Sequence, residues 1–145
     1  MKIVLQRVTS ASVKVDGAIV GEIGQGYLAL LGVGAEDDEA VVGRAIEKIK
    51  KLRLFPDDEG KTNRSVVDIQ GELLVVSQFT LYADCRKGNR PGFTDAASPD
   101  VAQELYDCFV NEAKPHFTKV ACGVFGASME VALVNDGPFT VILEL

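Results

Sequence analysis

The sequence contains no tryptophan, a single histidine (His116) and three cysteines. One histidine without any Cys-x-x-Cys pair supplies too few ligands for a zinc site. Cys85, Cys108 and Cys122 are odd in number and widely spaced, so they predict neither a disulfide framework nor a metal centre. A Ser-His-Asp triad would have to use His116, whose position beside Pro115 is more typical of a solvated helix end. The sequence therefore predicts no metal and no cofactor.

Long hydrophobic runs are also missing, because no segment approaches the roughly 18 apolar residues that a membrane span needs. An apolar share of 47% argues against disorder, and 145 residues fit one domain, residues 1–145. Gln6-Arg7 interrupts the first apolar stretch too early for a signal peptide, which favours a cytoplasmic location. Fifteen basic against 21 acidic residues give a net charge of -6, a mild argument against a nucleic-acid partner.

The first 33 residues have the patterns of strands joined by short turns. Residues 11–15 alternate apolar and polar side chains, and the Asp16-Gly17 pair that follows is a strong hairpin signal. The run over residues 27–33 is almost entirely apolar, which is typical of a strand covered on both faces. Four antiparallel strands are therefore expected, over residues 2–9, 11–15, 19–23 and 27–33.

The hydrophobic period then changes to that of a helix. Apolar residues recur at helical spacing from Val42 to Leu52, with Asp37 as the expected N-cap, and Phe55-Pro56 ends the pattern. A polar loop is expected over residues 57–64, and a central strand over residues 73–81. After a long loop over residues 84–97, Ser98-Pro99 predicts the start of a second helix that Pro115 closes.

Three apolar segments complete the chain, and they read as closing strands over residues 120–122, 129–134 and 139–145, the last two joined by residues 135–138. Strands and helices do not alternate regularly, so a doubly wound parallel sheet is disfavoured. The predicted fold class is α+β, in which mostly antiparallel, barrel-like sheets pack against two main helices in a single domain.

Two polar interruptions stand out within these strands. Ser77, Gln78 and Thr80 lie in an otherwise apolar strand, and an unpaired buried polar group costs about 1–3 kcal/mol. They either satisfy neighbouring backbone groups or line a pocket. Gly137-Pro138 is either a simple turn or a pair of exposed carbonyl oxygens that could accept hydrogen bonds from an ammonium group.

Taken together, these two segments carry a resemblance. Ser77-Gln78-Phe79-Thr80-Leu81 and Asn135-Asp136-Gly137-Pro138 resemble the D-aminoacyl-tRNA deacylase family, also called D-tyrosyl-tRNA deacylase, in its short bacterial form. Matches at Gln6-Arg7-Val8, residues 24–32 and residues 87–91 extend the likeness over the whole chain. The resemblance implies a homodimer that hydrolyses the ester between a D-amino acid and the terminal adenosine of tRNA, with the active sites at the subunit interface.

The resemblance also assigns residue roles. It implies that Gly137 and Pro138, joined by a cis peptide, enter the other subunit's site, hold the substrate's amino group and collide with L side chains, so that glycine could also be cleaved. Arg7 would brace this Gly-Pro loop. Phe125 and Met129 would lie near the adenosine pocket.

The chemistry expected at Ser77-Gln78-Phe79-Thr80 is positioning rather than nucleophilic attack. The family casts Thr80 as a nucleophile, but a hydroxyl needs a base and the sequence offers none nearby. We therefore expect backbone N–H groups at Phe79 or Thr80 to form an oxyanion site. The resemblance implies that the 2'-hydroxyl of the terminal adenosine assists hydrolysis.

Arg86, Lys87 and Arg90 lie close in sequence to this segment and are candidates for RNA phosphate contacts. Two other functions remain open at this stage. One is a conventional esterase that uses Ser77 or Thr80 with His116, and the other is a dimeric binding module without catalysis.

Overall fold

The computed structural model describes residues 1–145. Its first strand is long and pairs with three other strands of the main sheet. β1 (Lys2–Val15) pairs antiparallel with β2 (Ala18–Ile23) through its second half and with β3 (Gly26–Gly32) through its first half. The last strand of the chain, β8 (Glu130–Glu144), runs antiparallel to nearly the whole of β1.

Two helices connect the central strands of the sheet. The remaining elements in chain order are α1 (Glu39–Lys51), β4 (Phe55–Pro56), β5 (Thr62–Arg64), β6 (Glu72–Ser77), α2 (Pro99–Ala113) and β7 (Val120–Cys122). β6 pairs parallel with β3 and β7 pairs parallel with β6, so α1 and α2 are the crossovers of parallel units. Both helices therefore begin near the carboxyl ends of β3 and β6 and run back towards the opposite end.

The sheet curls until its ends nearly meet. Its strand order is β2-β1-β3-β6-β7, with β8 on β1. β2 comes back against β7, because a Cβ added to Gly21 would lie 2.6 Å from the carbonyl oxygen of Cys122. This nearly closed sheet with two helices packed on it confirms the α+β, barrel-like, mostly antiparallel fold predicted from the sequence.

The core divides into two clusters on the two faces of the sheet. The larger one lies between the sheet and both helices and contains fully buried Tyr27, Phe55 and Phe109. The smaller one fills the inside of the curled sheet around Val8, Leu28 and Leu74. β3 and β6 are buried on both faces, as the apolar run at residues 27–33 predicted. Neither helix has the length and apolar character that a membrane span requires.

Several predicted element boundaries were wrong. The N-cap of α1 is Asp38, whose carboxylate accepts a hydrogen bond from the Val41 N–H at 3.0 Å, whereas Asp37 binds the Gly34 N–H at 2.7 Å. The first two predicted strands are one continuous strand. Residues 57–64 are not all loop, because β4 and β5 form a short hairpin there.

Two further differences concern the segments that resemble the family motifs. The central strand ends at Ser77, and the chain turns into a short 3-10 helix, Phe79–Tyr82. The last two predicted strands are joined into β8, which passes through residues 135–138 as a bulge without ending. Pairing with β1 on both sides of the bulge outweighs the local turn signal of Asn135-Asp136-Gly137-Pro138.

Candidate active site

A cavity of about 480 Å³ opens at the carboxyl ends of β3 and β6 and is bounded by the first turns of α2 and by the chain between β7 and β8. Five of the residues singled out from the sequence line this cavity: Ser77, Gln78, Phe79, Phe125 and Met129. No Asp, Glu, His, Lys, Arg or Cys side chain lines it. The chain therefore offers shape, apolar surface and backbone groups here, without a conventional general acid or base.

The local chain path explains how the motif is presented. The Gln78 N–H still donates to the Leu31 carbonyl at 2.8 Å, as a strand would, and the Leu81 N–H then donates back to Gln78 at 3.2 Å. Phe79 and Thr80 thus begin a 3-10 turn, in which the first N–H groups have no partner inside the turn. The turn therefore has two backbone donors without a partner inside it, and one of them belongs to Phe79, which lines the cavity.

Thr80 itself does not line the cavity, although its neighbours do. It is exposed, and its hydroxyl oxygen accepts a hydrogen bond from the Gln78 side-chain amide at 2.5 Å. No carboxylate or imidazole contacts this hydroxyl in the chain. The arrangement gives Thr80 a partner that orients it and none that could remove its proton.

Aromatic side chains form the rim and the floor of the cavity. Phe79 is 58% exposed, and its ring packs against Phe93 with ring centroids 4.9 Å apart. On the floor, Tyr106 packs against Phe125 at 5.8 Å and donates its hydroxyl to the buried Val75 carbonyl at 2.9 Å. Burial raises the pKa of Tyr106 well above its ordinary value, so the phenol stays neutral at physiological pH.

Sequence reasoning missed Tyr106 as a cavity residue, and also the small Ala102 beside it. Both belong to the buried stripe of α2, at positions where the 3.6-residue period predicts core. The period shows which face of a helix is buried but not whether that face meets a packed core or a cavity. The sequence contains no further signal for these two residues.

The Gly137-Pro138 segment lies in the β8 bulge, where the residues on either side of it contact the Arg7 side chain. The Arg7 Nε donates to the Asp136 carbonyl at 2.8 Å and lies 3.2 Å from the Asp136 carboxylate, and its guanidinium stacks over the Phe139 ring at 4.9 Å. Arg7 also donates to the Leu54 carbonyl. The predicted bracing residue therefore contacts the loop on both sides of the Gly-Pro pair.

Gly137 is required by this geometry, because its φ is +143° and an added Cβ would lie 2.9 Å from the Phe139 backbone nitrogen. The Gly137-Pro138 peptide is cis. Asn135 fixes the same loop, since its side-chain oxygen accepts from the Phe139 N–H at 2.6 Å and its amide donates to Thr140 at 2.9 Å. Gly137 and Pro138 themselves are exposed.

Within one chain the structure does not bring the Gly-Pro loop to the cavity. The bulge lies opposite Arg7, which pairs with Tyr27 near the start of β3. Leu31, in the cavity wall, lies four residues further along β3, which is about 13 Å along the strand. None of Arg7, Gly137 and Pro138 lines the cavity.

The candidate phosphate-binding residues differ in how free their charges are. Arg86 is engaged by Asp84 through two hydrogen bonds, at 2.8 and 2.7 Å, which also lowers the pKa of Asp84. Lys87 and Arg90 are exposed and form no ion pair. Two of the three predicted cations are thus available for an anionic partner.

His116 lies far from the cavity. It is exposed in a 3-10 turn after the carboxyl end of α2, whereas the cavity contacts Pro99 and Tyr106 in the first half of that helix. The 15 residues of α2 rise by about 22 Å, so His116 of the same chain cannot reach Ser77. A single-chain triad that uses His116 is excluded.

Comparisons with known proteins agree with the resemblance that the two motifs carry. The sequence model of the family described as D-Tyr-tRNA(Tyr) deacylase matches residues 4–144. The chain is 57% identical to the D-aminoacyl-tRNA deacylase of Rhodopirellula baltica, with 100% of both chains covered, and 56% identical to that of Roseiflexus castenholzii, covering 99% of this chain and 92% of the relative.

Solved structures show the same fold. A c-Myc DNA unwinding element binding protein superposes with a TM-score of 0.94 at 42% identity, covering 100% of this chain and 99% of the other. A probable eukaryotic D-amino acid tRNA deacylase superposes with a TM-score of 0.86 at 17% identity over 99% of this chain and 98% of the other, which concerns the fold alone. The chain therefore belongs to the D-aminoacyl-tRNA deacylase family and, as a member of it, is a hydrolase.

Proposed function

We propose that the protein hydrolyses the ester bond of D-aminoacyl-tRNA in the cytoplasm and so removes D-amino acids from tRNA during translation quality control. Water adds across the ester, and the products are the free D-amino acid and tRNA. Because selection excludes an L side chain and requires no D side chain, glycyl-tRNA is a second substrate. The protein needs no cofactor or metal and no membrane for this reaction.

One observation carries the proposal: the cavity lined by Ser77, Gln78 and Phe79 and the Gly137-Pro138 motif that would select the substrate lie at opposite ends of the same chain. A homodimer resolves this separation when the Gly137-Pro138 loop of each subunit enters the cavity of the other. β8 supports such pairing, because its Val134 and Ile142 side chains are 56% and 69% exposed. Apolar side chains exposed along one long strand are typical of an interface with another subunit.

In this dimer the Gly137 and Pro138 carbonyl oxygens accept hydrogen bonds from the substrate's ammonium group. The ammonium group, Cα and the ester carbon are then fixed, so a change of hand exchanges the positions of Hα and the side chain. The side chain of an L residue points into the loop, and that of a D residue points away from it. Arg7 keeps the loop rigid through its contacts with Asp136 and Phe139. Rigidity matters here because a flexible loop would allow both D- and L-aminoacyl esters to bind in the cavity.

Hydrolysis then depends on stabilising the tetrahedral intermediate. The N–H groups of Phe79 and Thr80 point their dipoles at the oxyanion, while Ser77 and Gln78 position the ester and the Thr80 hydroxyl. The 2'-hydroxyl of the terminal adenosine handles the proton, which agrees with a cavity that has no acidic or basic side chain. Phe125 and Met129 contact the adenosine, and Arg86, Lys87 and Arg90 contact the nearest phosphates.

The experiment is a deacylation assay with matched substrates. Purified protein is incubated with D-Tyr-tRNA, L-Tyr-tRNA and Gly-tRNA, and the fraction of acylated tRNA is followed over time. The proposal predicts rapid loss of the D and glycyl esters and an intact L ester. An unaffected D ester would leave the non-catalytic binding module as the better account. The His116→Ala variant distinguishes this proposal from the esterase alternative. The esterase alternative predicts that the variant loses activity, whereas this proposal predicts an unchanged rate of deacylation.

A further inference from the structure

A basic surface on α1 is not used by the proposed site of its own chain. Residues 44–53 contain five basic residues and one acidic residue, Glu47. Arg44, Lys48 and Lys51 recur at intervals of four and three residues, so they share one exposed face of the helix. We call the set of Arg44, Lys48, Lys50, Lys51 and Arg53 the α1 basic tract.

The tract carries uncompensated charge. Lys50 and Lys51 share the single carboxylate of Glu47, at 2.6 and 2.9 Å, and Arg44 and Lys48 pair with no carboxylate. In an acidic protein of net charge -6, this is an unusual concentration of positive charge. A solvated helix face does not require such clustering, whereas a polyanion such as RNA binds to it.

The tract is attached to the Gly-Pro loop and not to the cavity of its own chain. Leu54 follows the tract by one residue, and its carbonyl accepts a hydrogen bond from Arg7, which also holds Asp136 next to Gly137. Lys51 is three residues from Leu54, a span of at most about 11 Å. Whatever site receives Gly137-Pro138 therefore also receives the carboxyl end of α1 at its edge.

The start of α1, next to the cavity of its own chain, is acidic. Val33 lines the cavity, and Glu36, Asp37, Asp38 and Glu39 follow it after Gly34-Ala35. Asp37 pairs with the N-terminal ammonium group. Three of these four acidic residues are exposed. A phosphate chain that left the cavity over the start of its own α1 would meet these carboxylates. The favourable exit is towards the other subunit.

From these placements we infer that the α1 basic tract of one subunit binds the tRNA phosphates next to the ester held in the other subunit's cavity. The inference rests on the proposed cross-subunit site. It divides RNA recognition between two chains: Lys87 and Arg90 approach from the chain that holds the ester, and Lys48 and Lys51 from the chain that supplies the Gly-Pro loop. The same end of each subunit then carries both the Gly-Pro loop, which selects the D-amino acid, and the α1 basic tract, which binds the RNA.

The first test neutralises the tract without touching the site. Lys48→Gln/Lys51→Gln is compared with Lys14→Gln/Lys61→Gln, which makes the same change in charge at exposed lysines outside the tract. On D-Tyr-tRNA the tract variant is expected to raise KM about tenfold with kcat retained, and to lower the slope of log affinity against log salt by about 1.5, since each phosphate contact contributes roughly 0.7–0.9. On the D-tyrosyl ester of adenosine, which has no phosphate, both variants should match the wild type.

The outcomes separate this inference from the function on which it rests. If the wild type cleaves neither D-tyrosyl substrate, the proposed function fails. If the wild type cleaves both and the tract variant retains the KM and salt slope of the control on D-Tyr-tRNA, the function stands and the tract inference is overturned.

The second test asks which chain supplies the tract. Mixed dimers combine a chain whose cavity is filled by Ala127→Trp with a chain whose cavity is open. Neutralising Lys48 and Lys51 on the filled chain should raise KM for D-Tyr-tRNA, because that chain serves the open cavity, and neutralising them on the open chain should leave KM unchanged. The reverse pattern, or equal effects in the two dimers, would contradict action across the interface.

Discussion

At the scale of single residues, the chemistry that we propose uses backbone groups more than side chains. Ser77, Gln78 and Phe79 line a cavity without any acidic or basic side chain, and Thr80 is oriented only by Gln78. The polar interruption of an apolar strand was sufficient to find this segment from the sequence. Tyr106 could not be found in the same way, because a buried helix position looks the same in the sequence whether it meets core or cavity.

Thr80→Ala tests whether the hydroxyl is a nucleophile. We expect kcat for D-Tyr-tRNA to fall by less than about tenfold, because the backbone N–H groups of the turn remain, whereas loss of a true nucleophile costs on the order of a million-fold. Single-turnover kinetics of the variant give the comparison, with Thr62→Ala on the β4–β5 hairpin as a control. Abolished hydrolysis with retained substrate binding would disprove the positioning role.

Arg7→Lys tests the brace of the Gly-Pro loop. Lysine keeps the charge but cannot donate in two directions or stack a planar group on Phe139, as Arg7 does. Hydrogen bonds from charged groups are worth about 1.5–3 kcal/mol, so discrimination between D- and L-Tyr-tRNA should fall at least tenfold. The measurement is the ratio of kcat/KM for the two esters. Arg64→Lys, at a surface arginine of β5 that pairs with Asp58 and lies outside the site, should leave that ratio unchanged.

At the scale of elements, the site is built where regular structure is interrupted. β6 ends at Ser77 and turns, and β8 bulges around Arg7 without ending. Neither feature could be predicted, since residues 73–81 contain no glycine or proline to mark the turn and the Asn-Asp-Gly-Pro signal reads locally as a hairpin. The parallel pairing of β3, β6 and β7 was also missed, because it is fixed by the path of the two helices and not by any pattern within the strands.

The contact between α2 and β6 supports the cavity floor, and Tyr106→Phe tests it. The change removes the hydrogen bond of 2.9 Å from the Tyr106 hydroxyl to the buried Val75 carbonyl, which still accepts from the Gly123 N–H at 3.0 Å. The loss should therefore cost about 0.5–1.5 kcal/mol of unfolding free energy. Tyr27→Phe is the matched control, because the Tyr27 hydroxyl lies 3.4 Å from the Leu52 carbonyl and contributes less. Chemical denaturation at neutral pH measures both.

The effect of Tyr106→Phe on the free energy of unfolding also depends on pH, and the sign of this dependence is known. The folded state raises the pKa of Tyr106 above its ordinary value of 10.0, so its contribution to stability is complete below about pH 10 and is lost as the pH rises further. Tyr106→Phe should therefore lose less stability than the wild type between neutral and strongly alkaline pH. A steeper alkaline loss in the variant would contradict the burial of a neutral phenol.

At the scale of the whole molecule, each chain carries a cavity at one end and the Gly-Pro loop, which we propose as the selecting element, at the other. The net charge of -6 argued against a nucleic-acid partner, but the charges are unevenly placed. Acidic residues lie at the start of α1, and the α1 basic tract lies beside the Gly-Pro loop. Composition gives only the sum of these charges. In the proposed dimer, an acidic protein can still present positive charge beside the site where an RNA end is expected to bind.

Rescue of selectivity in a mixed dimer tests the central claim, that the Gly-Pro loop of one chain completes the cavity of the other. The Gly137→Ala homodimer should lose discrimination between D- and L-Tyr-tRNA, because an added Cβ meets the Phe139 backbone at 2.9 Å and displaces the loop. A mixed dimer then joins a Gly137→Ala chain with an open cavity to an Ala127→Trp chain with a filled cavity and an intact loop. The account predicts wild-type discrimination in this dimer, since its only open cavity receives the intact loop, whereas discrimination as poor as that of the Gly137→Ala homodimer would contradict it.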